Sequence, residues 1–129
     1  MNLLDSNIVI AVASSDDAAV NRLVLEGSYS VSVVTRIEVL GYHRLTQEDK
    51  TDLLAFLAGG RELALDDAVA QTAVRLRQER RMGLGDAIIA ATALVHGLPL
   101  VTRNTDDFKN VENLKLVNPF AVQKRSPQP

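Results

Sequence analysis

The run MGLGDAIIAATALVHG, residues 82–97, is alanine-rich and almost wholly apolar. A helix on a protein surface needs a polar face; this segment has none past its opening turn, so it is predicted to be a buried helix. What surrounds it must therefore cover it. The flanking sequence alternates short apolar strands with longer helical segments, the pattern of an α/β domain built on a mainly parallel sheet. With 129 residues, 47% of them apolar, there is material for one compact domain. The domain is expected to span residues 1–122, and the polar, proline-containing stretch from Gln123, residues 123–129, is expected to be a flexible tail.

Read along the chain, Asn2 to Asp5 forms the first strand and SNIVIAVASS a short helix. DDAAVNRLVLEG forms another, with a capping signal from Ser14 to Asp17 and a stop at Gly27. YSVSVV, Tyr29 to Val34, alternates and is β-branched, as a strand requires. Thr35 is expected to open the helix TRIEVLGYHRL, and Thr46 the helix that ends at Gly59 and Gly60. After a brief strand at ELAL, Asp66 caps a helix running to Arg81. The strand LPLVT, Leu98 to Thr102, follows the buried helix; beyond the polar turn RNTDDF, LKLVN adds an edge strand.

The bulk composition mostly excludes. Cysteine is absent, which removes disulfides, thiolate metal sites and a cysteine nucleophile and leaves a cytoplasmic setting as the expectation. The apolar run from Ile8 to Ala13 falls far short of the roughly 20 residues of a membrane span, so no membrane association is expected. A net charge of -2 gives no overall attraction to a polyanion, so binding of nucleic acid must rest on a local basic patch.

Four of the sixteen acidic residues stand apart by position. Asp5 ends the first strand, Glu38 lies in the first turn after the second, Asp86 opens the buried helix, and Asp107 follows LPLVT. All four fall at the carboxyl end of the expected sheet, where open α/β folds bind ligands. Carboxylates crowded there repel one another unless a cation intervenes, so their convergence predicts a metal. Oxygen donors without histidine or cysteine favour Mg2+ (or Mn2+) over zinc. Each position also has a plainer role open to it. Asp5 and Asp86 can cap helices, Glu38 can complete a capping box with Thr35, and Asp107 can be a turn residue interchangeable with Asp106.

Taken together, LLDSNIVI, SVVTRIEVLGY and GLGDAIIAATALVHGLPLVTRNTDDF make the chain resemble the PIN-domain ribonucleases, in length and layout the VapC-type toxins of type II toxin–antitoxin pairs. The resemblance covers Met1 to about Phe120 and implies a PIN-like three-layer α/β/α fold with a mainly parallel central sheet of four to five strands. It also implies an acidic quartet of Asp5, Glu38, Asp86 and Asp107, with Asp5 and Asp86 as principal metal ligands, supported by Ser6, Asn7, Thr102 and Asn104. Ser6 stands where the family commonly has threonine, which keeps the hydroxyl. The implied activity is metal-dependent endonucleolytic hydrolysis of RNA phosphodiesters, leaving a 5′-phosphate. A small cognate antitoxin and a homodimer are the implied partners, with IEVLGY and LLAFL as candidate contacting segments.

The other readings are a phosphatase with Asp5 as nucleophile and an inactive binding module. The first wants a second aspartate two residues on, where this chain has Asn7; the second predicts a broken quartet, and all four acids are present. Neither His43 nor His96 is placed for acid–base chemistry, since both fall at or near expected helix ends. Of the arginines, Arg36 and Arg103 are the better candidates to bind an RNA phosphate, since both adjoin expected site residues. RLRQERR adds Arg75, Arg77, Arg80 and Arg81, of which Arg81 lies nearest the loop before Asp86; a guanidinium there suits a phosphate or simply complements the helix end.

Overall fold

The structure, a computed structural model, describes residues 1–14, 21 and 28–120. The expected tail lies outside them, as does the helix DDAAVNRLVLEG with its cap and stop, apart from Asn21. Five strands are present among the described residues: β1 Asn2–Leu4, β2 Tyr29–Ser32, β3 Arg61–Leu63, β4 Leu100–Val101 and β5 Leu116–Val117. Five α-helices accompany them: α1 Ser6–Ser14, α2 Val33–Leu40, α3 Gln47–Ala58, α4 Asp67–Glu79 and α5 Leu84–His96. A short 3-10 turn spans Thr105–Asp107.

The strands lie in the order β3-β2-β1-β4-β5, every neighbouring pair parallel. Period-2 alternation sends successive side chains to opposite faces. Leu3, Leu63 and Leu100 pack on one side with α4 and α5; Leu4, Val31 and Val101 pack on the other with α1, α2 and α3. The result is the expected three-layer α/β/α architecture, with the edge strand at LKLVN in place. From β1 the chain builds outward to β2 and β3, then returns to the opposite side of β1 for β4 and β5. The topological switch point therefore lies between β1 and β4, and a crevice opens there at the strands' carboxyl ends.

The apolar run is α5, and from Ala87 through Ala93 every residue is buried. Thr92, the polar side chain within that stretch, donates to the Ile88 carbonyl at 2.7 Å, so its hydroxyl is not left unsatisfied. Burial of Ile88, Ile89 and Phe108 in the same cluster contributes about 1.5–3 kcal/mol each. Two expected caps are present. Thr46 accepts from the Asp49 N–H and Asp66 from the Val69 N–H, at 3.1 and 3.0 Å. Tyr29 stacks on Phe56 and donates to its carbonyl at 2.6 Å. The ring lies so close over Gly60 that a Cβ there would meet it at 2.5 Å, which is why the chain turns on glycine at that point.

Two boundaries move. β2 ends at Ser32, and α2 begins at Val33 rather than at Thr35, because the Ser32 side chain accepts from the Val34 N–H at 3.1 Å. Val33 and Val34 carry strand propensity, but Val34 packs into the cluster formed with α4 and α5, and tertiary contact overrides propensity. The expected capping box between Thr35 and Glu38 is therefore not formed. α4 stops at Glu79, short of Arg81, and Arg80 is extended (φ -158°, ψ 161°).

Candidate active site

Asp5 sits just past β1, on the seam between β1 and β4. Its backbone continues the sheet by donating to the Val101 carbonyl at 2.9 Å, while its own carbonyl accepts from Ile8 and Val9 to start α1. The carboxylate is 5% exposed, and both oxygens are engaged. Oδ1 accepts from the Ser6 N–H at 2.8 Å, and Oδ2 from the Thr102 hydroxyl at 2.7 Å. Asp5 thus serves its helix and the site at once. Thr102, fully buried beyond β4, is held in turn by the Asn104 N–H at 3.0 Å. Asn104 supports the site through its backbone; the contribution is the turn it adopts.

Ser6 links this seam to α2. Its hydroxyl donates to Glu38 Oε1 at 2.5 Å and lies 3.3 Å from the hydroxyl of buried Thr35. The other Glu38 oxygen rests against Gly85, where a Cβ would stand 2.8 Å from it. Glu38 therefore reaches from α2 to the first turn of α5, the turn that carries Asp86. Asp86 makes no cap: the N-cap is Gly83, which has no side-chain bond. Asn7 Oδ1 is buried without a hydrogen-bond partner.

The electrostatics tie the acids together. Burial pushes the Asp5 carboxyl above the usual range, against the lowering by its bonds to Thr102 and Ser6; the charges of Glu38 and Asp107 add to the rise. Burial also raises Asp86, with further contributions from Asp5, Asp107 and Glu38 in that order. Such coupling requires proximity. Among the described residues, however, no three His, Cys, Asp or Glu side chains are drawn together in a metal-holding group. The donor set the four offer is oxygen only, as Mg2+ or Mn2+ prefers. Asp106, 91% exposed and paired with Lys109 at 3.9 Å, lines the same cleft as Asp86 and Asp107, but its charge is not among those that raise Asp5 or Asp86.

The arginines divide. Arg36 is engaged by Glu62, with Nε to Oε1 at 2.5 Å, and so is not presented to the site. Arg103 lies over the Phe120 ring, 4.2 Å from its centroid. Arg75 turns to Glu79 at 3.9 Å. Arg81 lines a cleft of about 510 Å³ that also contains Asp86 and Asp107. Sequence reading missed Thr35 as a neighbour of Ser6 and Gly85 as a neighbour of Glu38. A glycine directly before Asp86 was the available signal for the second; nothing marked the first once Thr35 was read as a cap.

Known proteins resemble this chain in sequence and in fold. The PIN domain profile matches residues 3–114. "Ribonuclease VapC10" of Mycobacterium tuberculosis is 35% identical over 136 residues, covering 99% of each chain. A "Toxin-antitoxin complex from Klebsiella pneumoniae" superposes with a TM-score of 0.77 at 30% identity, covering 92% of this chain and 98% of that one. FitAcB from Neisseria gonorrhoeae gives 0.72 at 27%, covering 93% and 99%. The chain belongs to the PIN domain family, in its VapC-type branch.

Proposed function

We propose that the chain is a divalent-metal-dependent endoribonuclease acting as the toxin of a toxin–antitoxin pair. The observation that supports the reading best is electrostatic: the charges of Asp5, Asp107 and Glu38, distant along the sequence, all bear on the Asp86 carboxyl, and those of Glu38 and Asp107 bear on Asp5. Asp5 and Asp86 are the principal ligands in this reading, and Glu38 and Asp107 complete the set. When bound, Mg2+ or Mn2+ supplies a water of lowered pKa and stabilises charge developing on the phosphate. The protein's own part is positioning. Thr102 and the Ser6 N–H fix the Asp5 carboxylate, Ser6 Oγ holds Glu38 against α5, and Arg81 stands ready for a backbone phosphate. The relative named a ribonuclease supports RNA as the substrate.

Two apolar grooves support the partner readings. One, of about 310 Å³, is lined by Ile10, Val39, Tyr42 and Leu53 and reaches Glu38. A helix laid in it by its apolar face would end at the acidic centre, as an inhibitory antitoxin should. The neighbour titled a toxin–antitoxin complex supports such a partner. The other groove, of about 430 Å³ between α4 and α5, presents Leu65, Val74 and Leu84 and includes none of the four carboxylates, which suits a second copy of the chain. IEVLGY and LLAFL, expected at a dimer contact, expose Ile37, Tyr42 and Leu54 but bury Val39 and Leu53.

The test is cleavage of single-stranded RNA with and without metal. EDTA should stop it and Mn2+ or Mg2+ restore it, while Asp5→Ala and Asp86→Ala should abolish it with the fold retained. Cleavage that resists chelation, or that survives both substitutions, would contradict the assignment.

A further inference from the structure

The cleft beside Asp86 and Asp107 is formed by the loop leaving α4 and the turn that carries Asp107, and it holds about 510 Å³, within the range of small-ligand sites. Its loop wall is pinned. Arg77 Nε donates to the Met82 carbonyl at 3.1 Å, and Arg80 is anchored by the Leu76 carbonyl at 3.3 Å and by Glu79 at 3.2 Å. Arg81, between these anchors, is exposed and has no ion pair or hydrogen bond among the described residues. A cation on a fixed backbone with a free guanidinium, beside Asp86, Asp106 and Asp107, with none of which it pairs, is placed to receive an anion that arrives with a ligand. Asn110 lines the same cleft, also exposed and without a hydrogen bond among the described residues, and its amide offers a donor and an acceptor side by side. No aromatic side chain lines the space, so a base entering it is read at its edge, not by stacking.

We infer that this cleft is the subsite for the nucleotide adjoining the scissile phosphate of single-stranded RNA, with Arg81 holding that nucleotide's phosphate and the Asn110 amide selecting its base. The inference rests on the ribonuclease reading and extends it to substrate choice. The two residues have separable effects, because phosphate contacts carry affinity and base-edge contacts carry sequence.

The experiment is steady-state cleavage, in Mn2+, of a pool of short RNAs randomised around one cut site, with sequencing of the products. Arg81→Gln should raise KM on the order of ten-fold for every sequence, leave kcat nearly unchanged, and lower the salt dependence by about one ion. Asn110→Ala should flatten the base preference at one position next to the cut while preference elsewhere persists. Lys50→Gln, which removes an exposed cation from α3, should change neither. Unaltered KM in Arg81→Gln, or an unaltered product profile in Asn110→Ala, with the wild type active, would overturn the subsite alone. A wild type that cuts no RNA in metal would overturn the ribonuclease reading and this inference with it.

Discussion

Asp5 shows how one residue can satisfy local and distant demands together. Its carbonyl starts α1 and its carboxylate joins β1 to β4 through Thr102, so the aspartate met in LLDSN opens a helix and ties the sheet seam at once. The energetics of Asp5 and Asp86 predict a particular pH behaviour. Both have folded-state pKa values raised above the ordinary 3.8, so the folded protein holds these protons more tightly than the unfolded chain. Their contribution to stability is full below the unfolded pKa and is lost as pH rises through the folded one. Metal-free protein should therefore lose stability from these groups as pH climbs out of the acid range, and Mn2+ should restore it at neutral pH. Asp86→Asn should raise the metal-free Tm by a few degrees at pH 7 and abolish the further rise on adding Mn2+; a variant that melts like the wild type in both conditions would contradict the charge argument. Thr102→Val keeps the shape but removes the donor to Asp5 and the acceptor for Asn104. It should cost about 1.5–3 kcal/mol in denaturant unfolding, and a loss under 0.5 kcal/mol would show that the bond is not a significant support.

At the scale of elements, long-period patterns were legible and boundaries were not. The burial of α5 followed from its want of a polar face, and the caps at Thr46 and Asp66 followed from side-chain chemistry alone. Asp66→Ala should destabilise by about 1 kcal/mol, read as a shift in the urea midpoint at constant m. The start of α2 was misplaced because two β-branched valines look like strand; what decides it is the Ser32 cap and the packing of Val34, neither visible without the fold. The same misplacement hid Thr35 beside Ser6. For the candidate site, the ends of the elements singled out the four acids, but which arginine shares a cleft with two of them was not legible. Arg36 and Arg81 look alike in sequence, and Glu62, on a neighbouring strand, is what takes Arg36 away.

For the whole molecule, the parallel order β3-β2-β1-β4-β5 puts the switch point between β1 and β4 and brings four carboxylates separated in sequence within electrostatic reach of one another. The groove between α4 and α5 is where the proposed dimer contact is tested. Val74→Glu, at a position 56% exposed in the α4–α5 groove, should leave the fold intact and convert a homodimer to a monomer in sedimentation velocity. An unchanged sedimentation coefficient at equal concentration would move the dimer contact elsewhere. The most direct test of the central claim is calorimetric titration of Mn2+ into the wild type, Asp5→Asn and Asp86→Asn at pH 5 and pH 7.5. Binding by the wild type that weakens at pH 5 with proton release, and is lost in both variants, is the expected result; wild-type affinity in either variant would contradict a shared ion between Asp5 and Asp86.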